Sequence, residues 1–86
     1  MADYAILFTK SARKELEKLE DKFINSVILK IEKLGYLSRP SGCKKIIGRK
    51  NLWRIRVGDY RVVYTINDNE NKIDIIAIRH RKDIYQ

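Results

Sequence analysis

The sequence predicts an α+β fold, a four- to five-stranded antiparallel β-sheet with an N-terminal two-helix hairpin packed on one face. Three observations lead there. Ala12, Leu16, Leu19, Phe23, Val27, Ile31 and Leu34 recur at spacings of three and four, which puts one apolar stripe along a helical surface. From residue 44 onward the chain alternates apolar and polar residues and is rich in Val, Ile, Tyr and Arg, as half-buried strands do. Turn signals then punctuate that second half, with Gly58-Asp59 in one place and the polar stretch Asn67-Asp68-Asn69-Glu70-Asn71 in another. Eighty-six residues build one hydrophobic core and no more, so residues 1–86 form a single domain.

Taken in order, Tyr4, Ile6 and Phe8 alternate and read as a short strand. Thr9 or Ser11 can cap the following helix, because a side-chain oxygen there accepts from otherwise orphaned amides of the first turn. The polar cluster Glu20-Asp21-Lys22 divides the apolar stripe into two helices, and Gly35 marks the end of the second. Residues 38–42, SRPSG, form a loop. Strands follow near 44–48, 52–57, 60–67 and 72–80, giving the order β-α-α-β-β-β-β with hairpin connections. No repeat, low-complexity tract or linker interrupts them.

The hairpin at Gly58-Asp59 makes a geometric prediction. A two-residue turn with glycine in the first central position sets Val57 opposite Tyr60, Arg56 opposite Arg61, Ile55 opposite Val62 and Trp53 opposite Tyr64. Period-two alternation places Trp53, Ile55, Val57, Tyr60, Val62 and Tyr64 on the helix side. Arg54, Arg56, Arg61 and Val63 fall on the other. An even loop centred between Asn69 and Glu70 pairs Tyr64 with Ile75 and Arg61 with Ile78; Ile73, Ile75 and Ala77 then join the core. The same register brings His80 to the arginine face. Like charges directly opposite on a sheet are unfavourable, so the Arg56–Arg61 pair calls for an anion above it.

Net charge points the same way. The formal charge is +8, but residues 39–61 carry eight bases against one acid, whereas residues 1–38 carry seven against six and residues 62–86 four against four. A local excess of this kind marks a polyanion site such as nucleic acid. No apolar run reaches the roughly 18 residues of a spanning helix and no signal peptide opens the chain, which argues against a membrane. The single cysteine, Cys43, has no internal partner and fits a reducing cytoplasm.

The candidate phosphate ligands are Lys45, Arg49, Lys50, Arg54, Arg56 and Arg61. A charged strand face is ordinarily just solvated, but here the acids that would intersperse it are missing. His80 is either a solvent-satisfied imidazole or, beside arginines, a participant in phosphate chemistry, since it titrates near neutrality. Tyr85 is either a surface residue or a ring that stacks on a base. One His and one Cys make no zinc site, and no paired carboxylates stand at metal-binding spacing. Cys43 with His80 lacks a third, orienting group, and no GxxxxGK[ST] phosphate loop is present.

The series FTKSARKELEKL, WRIRVGDYRVVY and IRHRKDIY resembles the RelE toxins of toxin–antitoxin systems, within the RelE/ParE superfamily. The likeness covers essentially the whole chain. The GDYRVVY hairpin is common to the superfamily, while the ending HRKDIY resembles its nuclease branch. The resemblance implies a type II toxin that is a metal-independent, ribosome-dependent mRNA endoribonuclease and needs no cofactor. It would act in the ribosomal A site and be silenced in a hetero-oligomer with a RelB-like antitoxin. Arg61 then matches the phosphate-stabilising arginine, Arg81 the arginine of the last strand, and Tyr85 the base-stacking tyrosine. Arg54 and Arg56 stand where well-known members carry lysines. Arginine, with its pKa above 12, clamps phosphate but does not act as a base, so the catalytic set expected is Arg61, His80, Arg81 and Tyr85, with His80 as base. Two other readings stay open: a ParE-like inhibitor of DNA gyrase with no chemistry, and a degenerate member that binds antitoxin or RNA without cutting.

Overall fold

The computed structural model describes residues 3–80; Arg81 and Tyr85 lie outside them. Strand β1 (Ala5–Phe8) leads into helix α1 (Lys10–Glu17) and helix α2 (Asp21–Leu34), followed by β2 (Lys44–Lys45), β3 (Leu52–Val57), β4 (Tyr60–Asn67) and β5 (Lys72–His80). The sheet order is β1-β5-β4-β3-β2. Thr9 is the helix cap, its Oγ1 accepting from the Ala12 amide at 3.1 Å. Gly35 closes α2 in right-handed helical geometry, with φ −63°. Its lack of a side chain serves close approach instead: a Cβ there would stand 3.1 Å from the Tyr4 carbonyl, where the Gly35 carbonyl accepts from the Tyr4 amide.

The α+β class, the five strands and the helical hairpin agree with the sequence, but the sheet is mixed. Strand β1 runs parallel to β5, pairing Ala5 with Lys72 and Phe8 with Ile75. The strands from β2 to β5 are joined by turns that force antiparallel neighbours. No turn joins β1 to β5; the helical hairpin lies between β1 and the rest of the sheet, and a long connection of this kind permits parallel pairing. Strand β2 is also shorter than expected, only Lys44 and Lys45, and the chain from 46 to 51 turns as a loop.

The β3–β4 hairpin has the expected register, with Arg56 opposite Arg61, Ile55 opposite Val62 and Trp53 opposite Tyr64. Gly58 supplies the positive φ, +60°. Ala12, Val27, Ile31 and Leu34 of the helices bury against Ile55, Val57, Val62, Tyr64, Ile66, Ile73, Ile75 and Ile78 in one core. Tyr64 has no exposed surface, and its hydroxyl donates to the Ser38 carbonyl at 2.9 Å. That bond ties the loop after α2 to the middle of the sheet and satisfies a buried polar group.

The β4–β5 register departs from expectation halfway along. Tyr64 does pair with Ile75, but Val63 pairs with Ala77, Val62 with Ile78, Arg61 with Arg79 and Tyr60 with His80. Ile76 is the extra residue of a β-bulge, and an extra residue reverses the faces of everything beyond it. Ile78 therefore enters the core, while Ala77 moves to the arginine side.

Candidate nucleic-acid interface

The sheet face turned away from the helices carries a straight row of arginines, Arg56 on β3, Arg61 on β4 and Arg79 on β5, in direct register across three strands. The neighbouring row is Lys44, Arg54, Val63 and Ala77. A groove of about 580 Å³ runs over this face, lined among others by Lys44, Arg54, Arg61, Val63, Ala77 and Arg79. A smaller hollow of about 320 Å³ shares Lys44, Arg54 and Arg61 with it and adds Arg56. Among the described residues no acid lines either.

Arg61 is only 6% exposed. Arg56 and Arg79 flank it in register on the neighbouring strands, so three cationic side chains converge there. Arg56 is exposed and Arg54 half-buried, so the guanidinium groups are graded in depth across the groove. Arg79 is steadied from the side, with its Nε 3.1 Å from Oε2 of Glu15 on α1. The apolar floor of Val63, Ala77 and Leu52 is suited to the flat surfaces of sugars and bases.

One expected placement is corrected. His80 does not reach the arginine face. It pairs with Tyr60 on the helix side, where its ring meets the Tyr60 ring edge-on at 5.3 Å, and Tyr60 in turn packs against Phe23 of α2 at 5.6 Å. The bulge at Ile76 is the cause, and the geometric case for His80 as base beside Arg61 goes with it. Lys45 also lines the groove. It pairs with Trp53, with its Nζ 5.8 Å from the Trp53 ring centre, while Arg39 lies over the same ring at 4.9 Å. Its neighbour Lys44 pairs with Arg54 and lines the same groove.

Arg49 and Lys50 line a hollow of about 350 Å³ with Lys45, Ile46, Ile47 and Gly48. That hollow adjoins the groove through Lys45, Ile46 and Ile47, which line both. Cys43 packs at the fringe of the core. Sequence reasoning missed Lys44 and Arg79. The run Ile73-Asp-Ile75-Ile76-Ala-Ile78 held the signal for Arg79, because its isoleucines break period two between 75 and 78.

A second set of contacts fixes the loop between β4 and β5. Asp68 accepts from the Tyr4 hydroxyl and from Arg39 Nη2, the latter at 3.1 Å. The Tyr4 bond first, and Arg39 next, hold the Asp68 carboxyl below its ordinary value. Burial is the main cause that pushes the Tyr64 phenol up. Among the described residues no helix is long and apolar enough to cross a membrane.

Residues 6–85 match the family model described as the ParE toxin of the type II toxin–antitoxin system parDE. Toxin RelG of Mycobacterium tuberculosis is 34% identical over 86 residues, covering 96% of this chain and 97% of its own. Toxin RelE of the same organism is 31% identical over 85 residues, covering 96% and 87%. Among solved structures, a chain of the archaeal RelE–RelB complex from Pyrococcus horikoshii superposes with a TM-score of 0.82 at 27% identity, covering 92% of this chain and 96% of that one. With that family model matched over residues 6–85 and two curated toxins more than 30% identical over 96% of the chain, this chain belongs to the RelE/ParE superfamily of toxins of type II toxin–antitoxin systems.

Proposed function

We infer that the protein is an endoribonuclease that cuts mRNA on the ribosome. The observation that carries this reading is the Arg56–Arg61–Arg79 row, with Arg61 buried in a groove whose described lining contains no acid. In the reaction the RNA 2′-hydroxyl attacks the adjacent 3′-phosphate and the bond to the 5′-oxygen breaks. A cyclic phosphate is left, and the departing 5′-oxygen becomes a hydroxyl by taking a proton from solvent. Negative charge builds on the non-bridging oxygens in between, and preorganised donors aimed at that charge lower the barrier. Arg56 and Arg61, directly opposed, are suited to hold those two oxygens, and Lys44 and Arg54 in the next row to hold a neighbouring phosphate. Arginines do not serve as bases. Their field favours the 2′-alkoxide, and its proton passes to solvent or to a ribosomal group. Arg81 at the leaving oxygen and Tyr85 stacked on a base complete the site that the resemblance implies.

The decisive measurement is single-turnover cleavage on programmed ribosomes. Arg61→Ala should lower the rate by about 100-fold or more, on the scale of a lost oxyanion donor. Cleavage at the wild-type rate would overturn this reading. The matched family model is that of the ParE toxin, so gyrase inhibition is the second reading; mapped cuts in mRNA separate the two.

The natural partner we infer is an antitoxin that covers the basic face in a hetero-oligomer, as the solved RelE–RelB complex pairs two such chains. Opposite charge on that partner accelerates association, and salt screens the effect. Association rates should therefore fall as salt rises, and a flat response would remove the electrostatic part of this inference.

A further inference from the structure

The basic groove does not stop at the sheet. The hollow lined by Arg54, Arg56 and Arg61 shares Gly42, Ile55 and Arg56 with a third depression, of about 170 Å³, which lies between the sheet edge and α2. Its remaining lining is Lys30 and Lys33 of α2 with Pro40 and Ser41. Lys30 and Lys33 are three residues apart, so they share one helical face, while the helical period turns Glu32 off it. None of the described residues lining this depression is acidic. An exposed helix ordinarily intersperses both signs of charge; here the two bases face the sheet arginines and the acid does not.

The path is open because β2 is short. It covers β3 only at Trp53 and Arg54, which leaves the Ile55–Val57 end of that strand without an outer neighbour. Arg56, exposed and lining both hollows, joins the two. Cations thus succeed one another from Arg79 and Arg61, through Arg54, Lys44 and Arg56, to Lys30 and Lys33. Single-stranded nucleic acid is held by grooves of this kind, whose charge follows the backbone.

We propose that Lys30 and Lys33 form a subsite for the phosphates of the substrate RNA flanking the cut, the strand leaving the arginine row over Arg56 and crossing the edge of β3 onto α2. This rests on the ribonuclease reading and adds to it a direction and a length for the bound strand. Each lysine neutralises one backbone phosphate. The occupant is the substrate strand itself, because the depression is continuous with the groove over Arg61.

The test uses antitoxin-free toxin and two RNAs with 2′-O-methyl riboses, which block self-attack: a trinucleotide and an octanucleotide. Affinity is measured by fluorescence anisotropy over a series of salt concentrations. For the octanucleotide, the Lys30→Gln/Lys33→Gln variant should show a log–log salt slope shallower by about 1.4, at roughly 0.7 for each phosphate no longer neutralised. For the trinucleotide it should match the wild type. Both lysines are exposed and glutamine is a comparable helix former, so the variant retains its fold. Equal slopes on the octanucleotide, or an equal loss on both RNAs, would overturn the subsite while leaving the ribonuclease reading in place. So would weaker ribosome binding with unchanged oligonucleotide binding, which would assign the lysines to ribosomal RNA. Failure of the wild type to bind either RNA would overturn the subsite, while the ribonuclease reading stands or falls on cleavage with programmed ribosomes.

Discussion

Arg61 and His80 separate two kinds of contribution that a linear reading merges. Both lie at the same end of the β4–β5 pair, yet Arg61 stands opposite Arg79 and His80 opposite Tyr60, on opposite faces of the sheet. A general base must come within hydrogen-bond reach of the proton it removes, and a ring packed against Tyr60 on the helix side is turned away from a phosphate over Arg61. His80→Ala should therefore leave the single-turnover cleavage rate within about threefold of wild type, against the 100-fold or larger loss typical of acid–base residues. The pH–rate profile should keep its shape. A profile flattened near neutrality would restore histidine to the catalytic set.

At the level of elements, the outer edge of β5 shows how α1 and the sheet support each other. Strand β1 ends its pairing at Phe8 and Ile75, which would leave the rest of β5 as an open edge. The Thr9 amide donates to the Ile75 carbonyl at 3.0 Å and the Thr9 hydroxyl to the Ile76 carbonyl at 3.2 Å. Glu15 then accepts from the Ile78 amide with one carboxylate oxygen and holds Arg79 with the other, both at 3.1 Å. The two bonds differ in weight. An amide deprived of its acceptor away from water costs roughly 1–3 kcal/mol, whereas a half-exposed ion pair contributes about 0–1 kcal/mol. Glu15→Ala, which removes both, should destabilise the protein by about 1–3 kcal/mol in urea denaturation. Glu15→Gln keeps an acceptor and should cost less than about 1 kcal/mol. Equal losses would mean that the ion pair, not the amide cap, is what matters.

For the whole molecule, the sheet separates two sides: helices and core pack on one face, and the arginine row lies on the other. The Asp68 carboxyl is held low by the Tyr4 hydroxyl and by Arg39. Its folded value lies below its unfolded one, so its contribution to stability is present above the unfolded value and is lost as pH falls through the folded one. The melting temperature should decline from about pH 4 downward, and less so in Asp68→Asn. A variant with the same acid limb as the wild type would show that other carboxylates govern it. Tyr64 gives the opposite sign. Burial raises its phenol, so the native state is favoured while that group stays protonated and weakens as pH climbs past the ordinary tyrosine value of about 10.

Local rules were sufficient for much of this. The helical stripe, the Thr9 cap, the break at Glu20-Asp21-Lys22 and the Gly58-Asp59 hairpin depend on residues close in sequence, and the opposition of Arg56 to Arg61 follows from that hairpin alone. The same residues carried the family resemblance. Strand β1 was different: its direction depends on a partner some seventy residues away, and no turn specifies it. The face of His80 was decided by one extra residue, Ile76, because a sheet alternates with period two and a bulge reverses every position beyond it. Lys44 joined the basic row for a related reason, since β2 is two residues long and its register comes from β3. Lys30 and Lys33 were legible only as ordinary bases of an amphipathic helix. Their place beside Arg56 exists because α2 packs across the sheet and leaves the end of β3 open, a juxtaposition of distant segments that only the tertiary structure creates.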